Sequence, residues 1–81
     1  MSVLEELEAL AQRYAHEAIR YDKAGATGVA IAYYQKAVDA LLRMVEIAPD
    51  HPLSQVYVEK ATAYQERIKA LQSLELSLIH I

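Results

Sequence analysis

An all-α fold, a three-helix bundle of up-down-up antiparallel topology, is predicted by three features of the chain. The stretch Val29–Ala48 holds neither Gly nor Pro, and its polar residues Gln35, Lys36, Asp39, Arg43 and Glu46 recur at three- and four-residue spacing. On a helix they form one narrow stripe, and the rest of the circumference is apolar. Such a helix needs cover from more than one side. Two flanking segments of similar length carry apolar residues at helical spacing, and short Gly- and Pro-containing breaks separate all three.

The first helix is predicted to start at Val3. Ser2-Val3-Leu4-Glu5 is a capping box, in which Ser2 accepts from the Glu5 N–H and the Glu5 side chain reaches back. Val3, Leu7, Leu10, Tyr14, Ala18 and Tyr21 form the expected core stripe. Arg13 and Glu17, like Glu8 and Gln12, sit four apart on the expected solvent face. Lys23 followed by Gly25 marks the end, a cation in the last turn and then a C-cap glycine.

Gly25-Ala26-Thr27-Gly28 is a tight connection that forces an antiparallel pair, with Thr27 as the expected N-cap of the central helix. Pro49-Asp50-His51-Pro52 cannot continue a helix. The third helix is therefore expected from about Pro52 to Leu74, capped by Asp50 or His51 and with Pro52 in its first turn. Leu53, Tyr57, Ala61, Tyr64, Ile68 and Leu71 give its buried stripe, and Glu59, Lys60, Gln65, Glu66, Arg67 and Lys69 its solvent face. All three helices come out near 30 Å at about 1.5 Å per residue, the matched lengths that an up-down-up bundle requires.

Residues 1–75 are expected to form this single domain and residues 76–81 a tail that is not native. The tail string LSLIHI shows no helical pattern and resembles an in-frame translation of the transposase adapter used in DNA sequencing libraries. The protein is then expected to continue past Glu75 in its uninterrupted frame.

Composition excludes several function classes. The chain has 81 residues and no Cys, so neither a disulfide framework nor a thiolate metal site supports it. Packing must do so, and a hydrophobic content of 54% suffices for a tight bundle. Eight Lys and Arg against eleven Asp and Glu leave a net charge of −3, which argues against nucleic acid as a partner. No apolar run approaches membrane-spanning length, so direct membrane insertion is not expected. The N-terminus, with two early Glu and no basic region, does not read as a signal peptide.

Catalytic and metal chemistry find no foothold. His16-Glu17 begins like the zinc motif HExxH, but Arg20 occupies the second His position. His16 reads as a surface or groove residue, His51 as a loop residue that caps the third helix, and His80 falls in the doubtful tail. Glu5, Glu6 and Glu8 favour the positive end of the first helix rather than a metal. Gly25 and Gly28 flank a turn without the lysine and serine of a phosphate loop. Tyr14, Tyr34, Tyr57 and Tyr64 lie on core stripes, while the pattern leaves Tyr21 and Tyr33 unassigned. No nucleophile–base pair emerges, so no enzyme, cofactor, metal or small-molecule substrate is expected.

What remains is surface. Ala11, Ala15 and Ile19 form a secondary apolar line on the first helix, and Ala63 and Ala70, with the stem of Arg67, a small-residue line on the third. Where the outer helices adjoin, such residues leave a shallow groove for a helix or an extended peptide. The same residues equally allow close helix packing with nothing bound.

Tyr14-Ala15, Ala18-Ile19, Asp22-Lys23-Ala24-Gly25, Ala30-Ile31, Tyr34, Lys36-Ala37, Leu41-Leu42, Lys60, Tyr64 and Arg67-Ile68 together resemble the microtubule-interacting-and-trafficking (MIT) domain, over nearly the whole chain up to Glu75. The likeness is greatest to the N-terminal domain of archaeal Vps-type AAA ATPases of cell division, with calpain-like proteases second. The resemblance implies a cytoplasmic, non-catalytic three-helix adaptor. Its partners would be C-terminal motifs of ESCRT-III-type filament proteins, to which it delivers a linked effector, often an ATPase.

In the family, one motif class binds as a helix between the second and third helices, here at Thr62, Gln65 and Glu66. Another binds as an extended strand between the first and third, here at Ala11, Ala15, Ile19, Ala63, Arg67 and Ala70. Gln65 replaces the leucine that receives the helical motif, whereas Ala15 keeps the small apolar character of the extended-motif groove. The first/third groove is therefore the expected site. GATGVA also departs from the more usual turn, G-N-Y-E-E-A.

Two alternatives remain at this level. Ala30, Tyr34, Ala37 and Pro49 match a tetratricopeptide repeat, but the proline falls too late and a solenoid needs stacked copies. The other is a scaffold bundle that self-associates through the same seam.

Overall fold

The computed structural model describes residues 2–79. It consists of α1 (Val3–Lys23), α2 (Thr27–Ile47) and α3 (Ser54–Ile79), with no strand among the described residues. The all-α, three-helix fold is therefore as predicted.

α1 starts as its capping box requires. Ser2 is extended (φ −80°, ψ 161°), and its Oγ accepts the Glu5 N–H at 3.1 Å. The Glu5 carboxylate accepts from the Ser2 hydroxyl at 3.3 Å rather than from the Ser2 backbone. Arg20 and Lys23 occupy the last turn, where cations favour the negative helix end. The helix closes in a Schellman motif. The Gly25 N–H donates to the Asp22 carbonyl (3.1 Å) and the Ala26 N–H to that of Tyr21 (2.9 Å). This closure needs a left-handed residue, and Gly25 supplies it at φ +80°.

The tight closure moves the next cap. Thr27 is not the N-cap of α2 but its first helical residue, and Ala26 is the cap, without a side-chain hydrogen bond. Ala26 ends the Schellman motif and also offers its carbonyl to the Ala30 N–H (3.0 Å), so no spare residue separates the helices. The Thr27 hydroxyl turns back to the Gly25 carbonyl at 3.5 Å. α2 has no acid in its first turn. A carboxylate arrives from α3 instead: Glu75 Oε1 lies 3.3 Å from where a Cβ on Gly28 would stand. A negative charge there favours the positive end of α2.

α3 differs from expectation at both ends. Pro52 lies in the preceding turn, and the helix begins at Ser54. His51 is the organiser. Its Nδ1 accepts the Leu53 N–H and its carbonyl accepts the Ser54 N–H, both at 3.0 Å. Its ring also stacks on Tyr57, with centroids 5.9 Å apart. At the other end α3 runs past Leu74 to Ile79. Residues 73–79 contain no Gly or Pro and are rich in leucine, so nothing in them stops a helix. Leu76 to Ile79 of the suspected tail are thus helical, and His80 and Ile81 lie outside the described residues.

α2 is the centre of the bundle. α1 and α3 both pack on it, while no Cα of α1 lies within 8 Å of a Cα of α3. Ile31, Tyr34, Val38, Leu41 and Met44 are buried on α2. Ala18, Ala30, Ala37 and Ala61 are essentially fully buried, and side chains this small let helix axes approach closely.

The inner face of α1 is rotated from its predicted position. Val3 is 58% exposed, Leu10 and Tyr14 are half-buried, and the buried residues are Ala11, Ala15 and Ala18. Leu4, Leu7 and Tyr21 pack on the core beside them. The regular three–four spacing runs from Leu4 through Leu7, Ala11, Tyr14 and Ala18 to Tyr21, a straighter stripe than one begun at Val3. On α3, Leu53 precedes the helix and is 45% exposed, so it leaves the predicted stripe, of which Tyr57, Ala61, Ile68 and Leu71 are buried.

Tyr21 and Tyr33, which the pattern left unassigned, stack face to face across the α1/α2 seam (5.7 Å, 6°). Lys36 lies over Tyr33 and Arg20 over Tyr21. Glu17 pairs with Arg20 at 2.6 Å rather than with Arg13.

The turn chemistry has a measurable consequence. Gly25→Ala places a Cβ in the left-handed region and should cost about 1 kcal/mol, seen as a lower urea midpoint with an unchanged slope. Gly28→Ala meets only the flexible end of Glu75 and should cost less.

Candidate functional site

The gap between the outer helices is a groove of about 350 Å³. Leu41 and Met44 of α2 lie beneath it. On one side α1 presents Glu8, Ala11, Gln12, Ala15, His16 and Ile19; on the other stand Leu53, Val56, Tyr57, Lys60 and Tyr64. Alanine at 11 and 15 is what keeps it open, because no α1 side chain there is long enough to fill the gap. Ile19, Leu53 and Val56 expose apolar surface along its edges.

Two polar cross-links bound the groove. Near one end the Tyr57 hydroxyl donates to Glu8 Oε2 at 3.3 Å. At the other, the Arg67 guanidinium grips Asp22 with two 2.8 Å bonds, Nε to Oδ2 and Nη2 to Oδ1. The Tyr34 hydroxyl of α2 donates to the same Oδ2 at 2.8 Å, so one carboxylate ties all three helices. Both links rise in the same order along α1 and α3, which makes the outer helices parallel and the topology up-down-up. Between the links α1 advances about 21 Å and α3 about 15 Å.

The Asp22 site perturbs its members. The Arg67 hydrogen bonds hold the Asp22 carboxyl below its ordinary range, against the opposing effect of burial. Burial, and then the bond to Asp22, pushes the Tyr34 hydroxyl up to about 12. Arg67 is half exposed, so solvent screens its charge and the strength of the pair is modest.

The residues expected from sequence distribute unevenly. Ala11, Ala15 and Ile19 line the groove. Ala63 and Ala70 do not line it, and both are exposed. Arg67 does not line it either and serves at its end, on Asp22. α3 turns Tyr57, Ala61 and Ile68 into the core, which brings Val56, Lys60 and Tyr64 rather than the alanines toward α1. The three–four spacing of Leu53, Tyr57, Lys60, Tyr64 and Arg67 was the available signal for that flank.

The second groove, between α2 and α3, is lined by Gln35, Gln65, Ile68, Lys69 and Gln72. Gln65 lies in it, whereas Thr62 and Glu66 do not line it. The Thr62 hydroxyl is turned onto the Val58 carbonyl of its own helix at 2.9 Å. Four of the five lining residues are polar, so this seam offers little for an apolar anchor.

Among the described residues, no group of three or more His, Cys, Asp or Glu is placed to hold a metal ion. No described helix is long and apolar enough to cross a membrane.

The fold is thus a three-helix bundle with an apolar furrow between parallel outer helices. The sequence matches the profile of the MIT (microtubule interacting and transport) domain over residues 9–73. The chain belongs to that family, whose members are non-catalytic domains that bind peptide partners. No curated protein matches the chain significantly.

The Asp22 cross-link predicts a stability profile in pH. Because the folded carboxyl titrates below its ordinary value of 3.8, its stabilisation is complete above that pH and is lost as pH falls through the lower folded value. Asp22→Asn should flatten this acid limb in chemical denaturation. Tyr34 acts at the opposite end, stabilising below about pH 10 and ceasing to do so as pH rises toward 12. Tyr34→Phe should cost about 1 kcal/mol at neutral pH and flatten the alkaline limb, to which Tyr57, raised by burial and by Glu8, also contributes.

Proposed function

We propose that this MIT domain recognises short C-terminal tails of ESCRT-III-like filament proteins, held as extended strands between α1 and α3. The observation that carries the proposal is the apolar furrow itself, with Leu41 and Met44 beneath it and Ala11 and Ala15 leaving it unfilled. The glutamine-lined α2/α3 seam supports the helical mode less well. An extended strand advances about 3.3 Å per residue, so the span between the cross-links suits roughly five or six residues. In its parent protein the domain would bring a C-terminally linked AAA ATPase to the filament in the cytoplasm, as in the archaeal cell-division ATPases it resembles.

Affinity for one tail is expected on the order of micromolar to tens of micromolar, because a flexible peptide must be ordered on binding. A filament presents many tails, so weak single contacts suffice for recruitment.

Titration with synthetic ESCRT-III-type tail peptides, followed by amide chemical shifts, tests the site. Shifts should concentrate on residues 8–19 and 53–64; shifts confined to the α2/α3 seam would overturn the choice of groove. Ala15→Asp should weaken binding at least tenfold while leaving helicity intact by circular dichroism.

A further inference from the structure

Two charged side chains line the α1/α3 groove, Glu8 and Lys60. Glu8 accepts from Tyr57, and Asp22 and Arg67 neutralise each other at the far end. Lys60 lines the groove between them and makes no ion pair among the described residues. Its own helix offers it nothing: the positions three and four residues away are Val56, Tyr57, Ala63 and Tyr64, none of them acidic. From α1, Gln12 and His16 line the same groove, the first neutral and the second able to donate a ring N–H. A chain of net charge −3 thus presents, at this apolar groove, a cation with no ion pair among the described residues.

We propose that Lys60 is a specificity-determining residue, and that the groove selects an extended peptide carrying an Asp or Glu between two apolar residues. This rests on the extended-strand mode proposed above. Side chains of a strand alternate between its two faces, so residues on either side of the acid point together toward Leu41 and Met44. The acid then points the other way, away from the floor and toward the rim, where exposed Lys60 is the cation that lines the groove. The apolar pair supplies most of the affinity, and the carboxylate sets preference and register, as charges at the edge of an interface do.

The test is selection of a random ten-residue displayed peptide library on three proteins: the unmodified chain, Lys60→Glu and Ala15→Asp. The unmodified chain should enrich Asp or Glu flanked by apolar residues, and Lys60→Glu should enrich Lys or Arg at that position. Replacing the selected acid with its amide should weaken binding to the unmodified chain about three- to fivefold, the range for a partly exposed ion pair, and the difference should shrink as salt is raised.

Peptides that depend on Ala15 but show no acid preference would overturn the role of Lys60 and leave the groove intact as the site. Acid-bearing peptides indifferent to Ala15→Asp would overturn both, as would the absence of any enriched sequence.

Discussion

α2 carries more apolar circumference than one neighbour can cover, and the architecture follows from that excess. Its buried residues, from Ala30 to Met44, face two directions. α1 and α3 each take one, and neither needs the other for its own burial. The outer helices are therefore free to stand apart, and they do, with no Cα approach within 8 Å. The furrow is the geometric remainder of two helices covering a third. A larger residue at Ala11 or Ala15 would fill it, and a narrower apolar face on α2 would leave it without a floor.

A gap of this kind needs something to hold its width, because the apolar contacts on α2 set the outer helices only against the middle one. Polar side chains do this work at long sequence range. Glu8 and Tyr57 join α1 to α3 at one end, and Asp22 and Arg67 at the other. Tyr34 adds α2 to the second link, so the carboxylate that fixes the outer pair is itself referenced to the core. The bonds are individually modest, since Arg67 and Glu8 are solvent-exposed. Their contribution is register and spacing more than stability.

The groove is defined by shape and by a few charges. The groove is preformed by backbone placement and by the absence of side-chain bulk, so the peptide proposed above would find an apolar floor already in place. In the extended-strand mode proposed above, discrimination between peptides would fall to Lys60, His16 and Gln12, which line the groove. The polar α2/α3 seam completes the contrast, because an apolar helix laid there would meet glutamine where it needs a pocket.

Much of this was fixed by local sequence. The Ser2 cap, the Gly25 closure, the Pro49–Pro52 break and the apolar girth of Val29–Ala48 determine three helices, their order and the middle position of the second, because each acts within a turn or two of itself. The secondary apolar line of Ala11, Ala15 and Ile19 marked the α1 side of the groove in advance. Tertiary structure alone decided the rest. Periodicity locates an apolar face only to within about one residue, and that residue exchanged Val3 and Leu10 for Leu4 and Ala11 on the inner line of α1. The same uncertainty on α3 moved Ala63 and Ala70 out of the furrow and brought Val56, Lys60 and Tyr64 into it. The pairing of Asp22 with Arg67 spans 45 positions; no local pattern specifies such a partner, because it exists only once both helices have been rotated into place by the core they share.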